Sequence, residues 1–160
     1  MLDEKETLIL DVRKAESLHG HLGPFLVIGV KMARLAKKTL NINGNKWLDL
    51  QVLAKLPLIT PFSCILDGIQ ATTQCTVGNR RLKIKNSNGA ITALFKLKSQ
   101  DKALKIHVKS RLIEMLRKQL SMGMSNEKLA WTIADMSEDE MFEVKTDKAL
   151  LENNSMTNVH

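Results

Sequence analysis

Cys64-Ile65-Leu66-Asp67-Gly68-Ile69-Gln70-Ala71-Thr72-Thr73-Gln74-Cys75-Thr76-Val77-Gly78-Asn79 holds both cysteines of the chain and most of its recognisable chemistry. Thr60 or Ser63 can cap a helix start, and Pro61 suits a first helical position, which places Cys64 in the first turn. There the positive end of the helix dipole favours a thiolate, the metal-binding and nucleophilic form of sulfur. At about 100° per residue, Cys64, Asp67, Gln70 and Gln74 share one polar stripe, while Ile65, Leu66, Ile69 and Thr73 lie away from it. Continued to Cys75, the helix would hold the two sulfurs about 16 Å apart, too far for one ion with ligand bonds near 2.3 Å. Either the helix ends near Gln74 and the chain folds back, or only one cysteine is a ligand. The first is expected, because Thr76-Val77-Gly78-Asn79 reads as a loop leading into the alternating strand Leu82-Lys83-Ile84-Lys85.

Upstream, residues 2–18 read as a covering helix with Leu8, Val12 and Ala15 on one face. His19-Gly20-His21 then sits in a bend, since Gly20 and the Gly23-Pro24 pair interrupt regular helix. Pro24 opens a mostly buried helix to about Thr39, in which Gly29 and Ala33 would admit a close neighbour. Residues 48–58 read as an extended segment. Downstream, Leu82–Lys85, the turn Asn86-Ser87-Asn88-Gly89 and Ala90–Leu97 read as a hairpin, and Ala103–Lys109 as a third strand. Their alternation gives one apolar sheet face and one rich in lysine. Amphipathic helices follow at 110–120 and after Ser125, and Ser137-Glu138-Asp139-Glu140 is a capping box. The expected fold is one α+β domain over 1–150, a mainly antiparallel sheet packed against helices, with a polar, disordered tail at 151–160.

The 160 residues with 44% apolar content suffice for one core. An N-terminus reading Met1-Leu2-Asp3-Glu4-Lys5-Glu6 is too charged for a secretory signal, and no apolar run reaches the length of a membrane span. A cytoplasmic protein with reduced thiols is expected. The net charge of +7 and pI near 9.5 point to an anionic partner. Tyr is absent and only four Phe and two Trp are present, so stacking platforms are scarce and nucleic acid is disfavoured.

His19-Gly20-His21-Leu22-Gly23-Pro24, with Cys64-Ile65-Leu66-Asp67-Gly68-Ile69-Gln70 and Thr73 to Asn79, resembles the FmdE family, which takes its name from molybdenum formylmethanofuran dehydrogenase. The likeness extends to Glu138–Val144. It implies an α+β core, often a homodimer, with a cleft where the histidine motif meets the cysteine helix and holds zinc or another divalent transition metal. His19, His21, Cys64 and Cys75 are then the candidate ligands, against the alternatives of loop histidines capping backbone groups and buried structural thiols. Asp67 is the candidate proton carrier in metal-assisted acid–base chemistry, or an acid complementing the helix dipole. Gln70, Thr76, Asn79 and Arg80 are candidates for touching a small anionic ligand, with Asn79 and Arg80 alternatively shaping the turn. Two departures stand out: Gly23 occupies a position where the family commonly has Cys, and Leu56–Ser63 lacks the acidic or amide group expected there. No cysteines remain for the C-terminal zinc finger some members carry. The competing function is a non-catalytic module that binds nucleic acid or a protein on its basic sheet face.

Overall fold

The computed structural model describes residues 1–146. The expected tail at 151–160 lies outside the described residues. What the described residues form is a single α+β domain: helices over one face of a five-stranded sheet.

Helix α1 (Glu4–His19) begins at a capping box in which Asp3 and Glu6 exchange hydrogen bonds, and ends where Gly20 takes φ 97°, a left-handed cap that few other residues adopt cheaply. After an extended Gly23, Pro24 opens α2 (Pro24–Thr39), almost wholly buried. Strand β1 (Leu50–Leu56) leads through a turn to α3 (Cys64–Thr73), which stops where Gln74 adopts φ 61°. The helix therefore ends where the sequence suggested, and the chain does fold back.

Helices α2 and α3 meet backbone to backbone. A Cβ at Gly29 would stand 2.1 Å from the Ile65 carbonyl oxygen, and one at Gly68 would stand 2.2 Å from that of Leu26. Each glycine thus faces the other helix's main chain, and no larger residue fits without separating them. Helix α1 packs on α3 and α2, and α5 (Asn126–Asp135) packs on the far side of α2.

The sheet runs β2-β1-β3-β4-β5, with β2 (Leu82–Asn86), β3 (Thr92–Leu97), β4 (Lys102–Val108) and β5 (Phe142–Lys145). Three of its pairings are antiparallel; β1 and β2 are parallel, joined by α3 as crossover. This corrects the hairpin expected across Asn86–Gly89: β2 and β3 flank β1 on opposite sides, with Val52 facing both Leu82 and Phe95. Asn-Gly marks a reversal of the chain, not the strand it will pair with. The inner face (Val52, Ala54, Phe95, Leu104, Ile106) joins Phe25, Ile28 and Met32 of α2 and Ile65 and Ile69 of α3 in one core. The outer face carries Lys55, Lys83, Lys85, Lys96 and Lys105, as the alternation implied. Helix α4 (Ser110–Ser121) and the short α6 (Glu138–Met141) complete the described elements. None of the helices is long and apolar enough to cross a membrane.

Candidate metal centre

The α2–α3 crossing sets the site. It holds the N-terminus of α3 against the loop between α1 and α2, so Cys64 comes up beside the two histidines that flank Gly20. Phe62, two residues before Cys64, packs edge-on against Phe25 of α2 with ring centres 5.5 Å apart, which anchors the approach to the helix. The expected capping by Thr60 or Ser63 does not occur: Ser63 is itself helical in backbone and makes no side-chain cap, and Pro61 lies in the preceding turn.

One ligand atom each from His19, His21 and Cys64 lie within 4.8 Å of one another. The imidazoles of His19 and His21 are tilted against each other with centres 4.6 Å apart. His19 Nδ1 stands 2.7 Å from Asp67 Oδ2, and the other carboxylate oxygen accepts a hydrogen bond from Gln70 Nε2 at 3.0 Å. Because a carboxylate only accepts, Nδ1 carries the proton of this pair and Nε2 is left with its lone pair. That Nε2 is fully buried and has no hydrogen-bond partner. A buried, unpartnered nitrogen whose tautomer is fixed by a carboxylate is the arrangement a metal-ligating histidine needs.

Cys64 is 8% exposed. Burial pushes its thiol pKa up, and the Asp67 carboxylate adds to the rise. This reverses the thiolate expected from the helix dipole. The N–H groups of Cys64, Ile65 and Leu66 already bond to the carbonyls of Pro61, Phe62 and Ser63, so few free donors remain to stabilise an anion. Without a metal, Cys64 is a thiol.

The other candidates lie elsewhere or are occupied. Cys75 is 0% exposed at the far end of α3, where its S–H donates to the Leu50 carbonyl and its N–H to Thr73 Oγ1. It is outside the three-residue group. Thr76 and Asn79 bind each other's backbone N–H groups, and Asn79 also reaches Gln74 O and Arg81 N–H, so their polar atoms are spent on the turn. Arg80 extends from that turn at φ 64°, away from the histidines. Asn126, the first residue of α5, was not signalled by the sequence. A Cβ at Gly23 would lie 3.5 Å from Asn126 Oδ1 and 3.6 Å from His21 Cε1, so the space beside His21 is shared by Gly23 and this amide. Only the tertiary fold brings position 126 there.

Residues 18–151 match the family model described as FmdE, molybdenum formylmethanofuran dehydrogenase operon. The chain belongs to the FmdE family. Among solved structures, this FmdE chain superposes with a TM-score of 0.63 on an FmdE-like protein of tungsten formylmethanofuran dehydrogenase from Syntrophus aciditrophicus. The match covers 88% of this chain and 71% of that one at 18% identity, a likeness of fold. A curated protein from Archaeoglobus fulgidus, named as a probable S-adenosyl-L-methionine-binding protein, is 32% identical over 71 residues. That match takes in 43% of this FmdE chain and 19% of the relative, so the chain spans only about a fifth of that protein's length.

Proposed function

We propose that this FmdE-family protein binds one transition-metal ion, zinc first among the candidates, through His19, His21 and Cys64, leaving a coordination position for a small ligand. The observation that carries this reading is the buried, unpartnered His19 Nε2, with its ring held by Asp67, beside a second imidazole and a thiol. Two imidazole nitrogens and one sulfur suit zinc and its neighbours, and three protein ligands are the usual number where a site stays open to another molecule. In this reading Asp67 orients His19 and strengthens it as a ligand; the expected role as proton carrier gives way to that one. A zinc ion so held supplies Lewis acidity to the small molecule that takes the remaining position. The family description associates its members with formylmethanofuran dehydrogenase, which is the setting in which we place the site.

Metal analysis of untagged protein, combined with X-ray absorption at the metal edge, tests this directly. One ion per chain with a mixed nitrogen and sulfur shell, lost in His19→Ala and in Cys64→Ser, is the expected result. Substoichiometric metal that both variants retain would remove the proposal.

A further inference from the structure

We infer that the corner of the sheet where β1, β2 and β3 meet the Arg80 turn binds a small organic phosphate, an anion of at least two charges with an apolar portion. Two adjoining clefts share Gln51, Arg80 and Lys83; Arg81 and Lys96 line the narrower one, and Lys98 the wider, which measures about 450 Å³. That volume falls in the range of small-molecule sites. The strand register explains the convergence. Gln51 pairs with Lys96, and Leu53 lies between Lys83 on β2 and Leu94 on β3, giving an apolar floor with a cation on either side.

No carboxylate lines either cleft among the described residues. Asp49, which neighbours Lys98, is occupied by the backbone N–H and hydroxyl of Ser99. Burial holds the Lys96 ammonium below its ordinary pKa, and repulsion from Lys98 and Lys83 lowers it further. A bound dianion would relieve that repulsion. The Arg80 turn is also built: the Asn79 side chain braces it, and the Arg81 guanidinium donates to Trp47 O and Gln74 O. Arg80 is thereby presented on a fixed backbone. This site lies at the opposite end of α3 from Cys64, a helix of ten residues and hence about 15 Å long, and is independent of the metal proposal.

A small ligand is favoured over nucleic acid because no aromatic side chain lines the clefts, leaving bases nothing to stack on. Calorimetric titration of metal-stripped protein with inorganic pyrophosphate is the test, run beside fluorescein-labelled oligothymidylate. Saturable one-to-one pyrophosphate binding is expected, weakened about tenfold in Arg80→Gln and in Lys96→Met and unchanged in Lys118→Met on α4. Circular dichroism checks that each variant is folded; Arg80, exposed on its turn, gives a substitution that leaves the core intact. Absence of saturable binding, or equal weakening in Lys118→Met, overturns the inference. So does tight, salt-steep binding of oligothymidylate without pyrophosphate binding, which would assign the corner to nucleic acid.

Discussion

At the scale of single residues, the pairing of Asp67 with His19 makes the sharpest prediction. Replacing Asp67 by Asn keeps the shape of the side chain but removes the charge that holds the Nδ1 proton and aims Nε2. Zinc affinity, measured by competition with a chromophoric chelator, should fall by roughly 10- to 100-fold, with the circular dichroism spectrum unchanged. An unaltered affinity would mean that Asp67 does not orient a ligand. Cys64 sets the pH dependence. Its thiol pKa is raised, so the proton is held to higher pH than on a free cysteine, and metal must displace it. Affinity should therefore rise with pH, by about tenfold per unit for this one proton across the neutral range, and Cys64→Ser should flatten the slope. A pH-independent affinity in the unsubstituted protein would contradict thiolate ligation. The sequence made His19, His21 and Cys64 legible as candidates through their motifs. It did not reveal that Asp67 belongs to His19, because the two are 48 positions apart and their meeting depends on the packing of α1 against α3. It also overrated the helix dipole at Cys64, because burial and a nearby carboxylate outweigh partial charges already bonded to the preceding turn.

Among the elements, the α2–α3 crossing bears the greatest structural demand. Gly29→Ala or Gly68→Ala drives a methyl group into the main chain of the facing helix, and backbone cannot turn aside as a side chain can. Each should destabilise the fold by about 3 kcal/mol or more in urea unfolding, and should weaken metal binding through displacement of Cys64. A change below about 0.5 kcal/mol in both would show that the helices do not meet so closely. A second element-scale device is Lys31 on α2, whose buried ammonium donates to the carbonyls of Ile133 and Ala134 at 3.1 Å each and to that of Met136, closing the C-terminus of α5. Lys31→Met retains the stem and leaves those carbonyls without this donor, so a loss of roughly 3 kcal/mol is expected. Helices were the most readable elements, because their apolar spacing and terminal residues are local properties: Asp3 with Glu6, Pro24 and Gln74 all mark real boundaries. Strand partners were not readable. The Asn86–Gly89 reversal is local, whereas the insertion of β1 between β2 and β3 is decided by the crossover through α3 and by which apolar rows must face the helices.

For the molecule as a whole, the three proposed ligands tie together parts of the chain distant in sequence: the end of α1, the loop before α2 and the start of α3. An ion held by all three binds the folded arrangement and finds no such preformed group in the unfolded chain. Its binding energy is consequently added to folding. With free zinc at about a thousand times the dissociation constant, the gain is roughly 4 kcal/mol, which for a chain of this size raises the unfolding temperature by about 10 °C. The shift should disappear in His19→Ala and in Cys64→Ser, and should survive in Cys75→Ser once that variant's own loss of a buried contact is referenced to its metal-free form. Differential scanning calorimetry with and without zinc measures all four proteins on one scale. Equal shifts in every variant would trace the stabilisation to metal bound away from the α1–α3 junction, and the site would lose its claim to be the centre around which these helices are arranged.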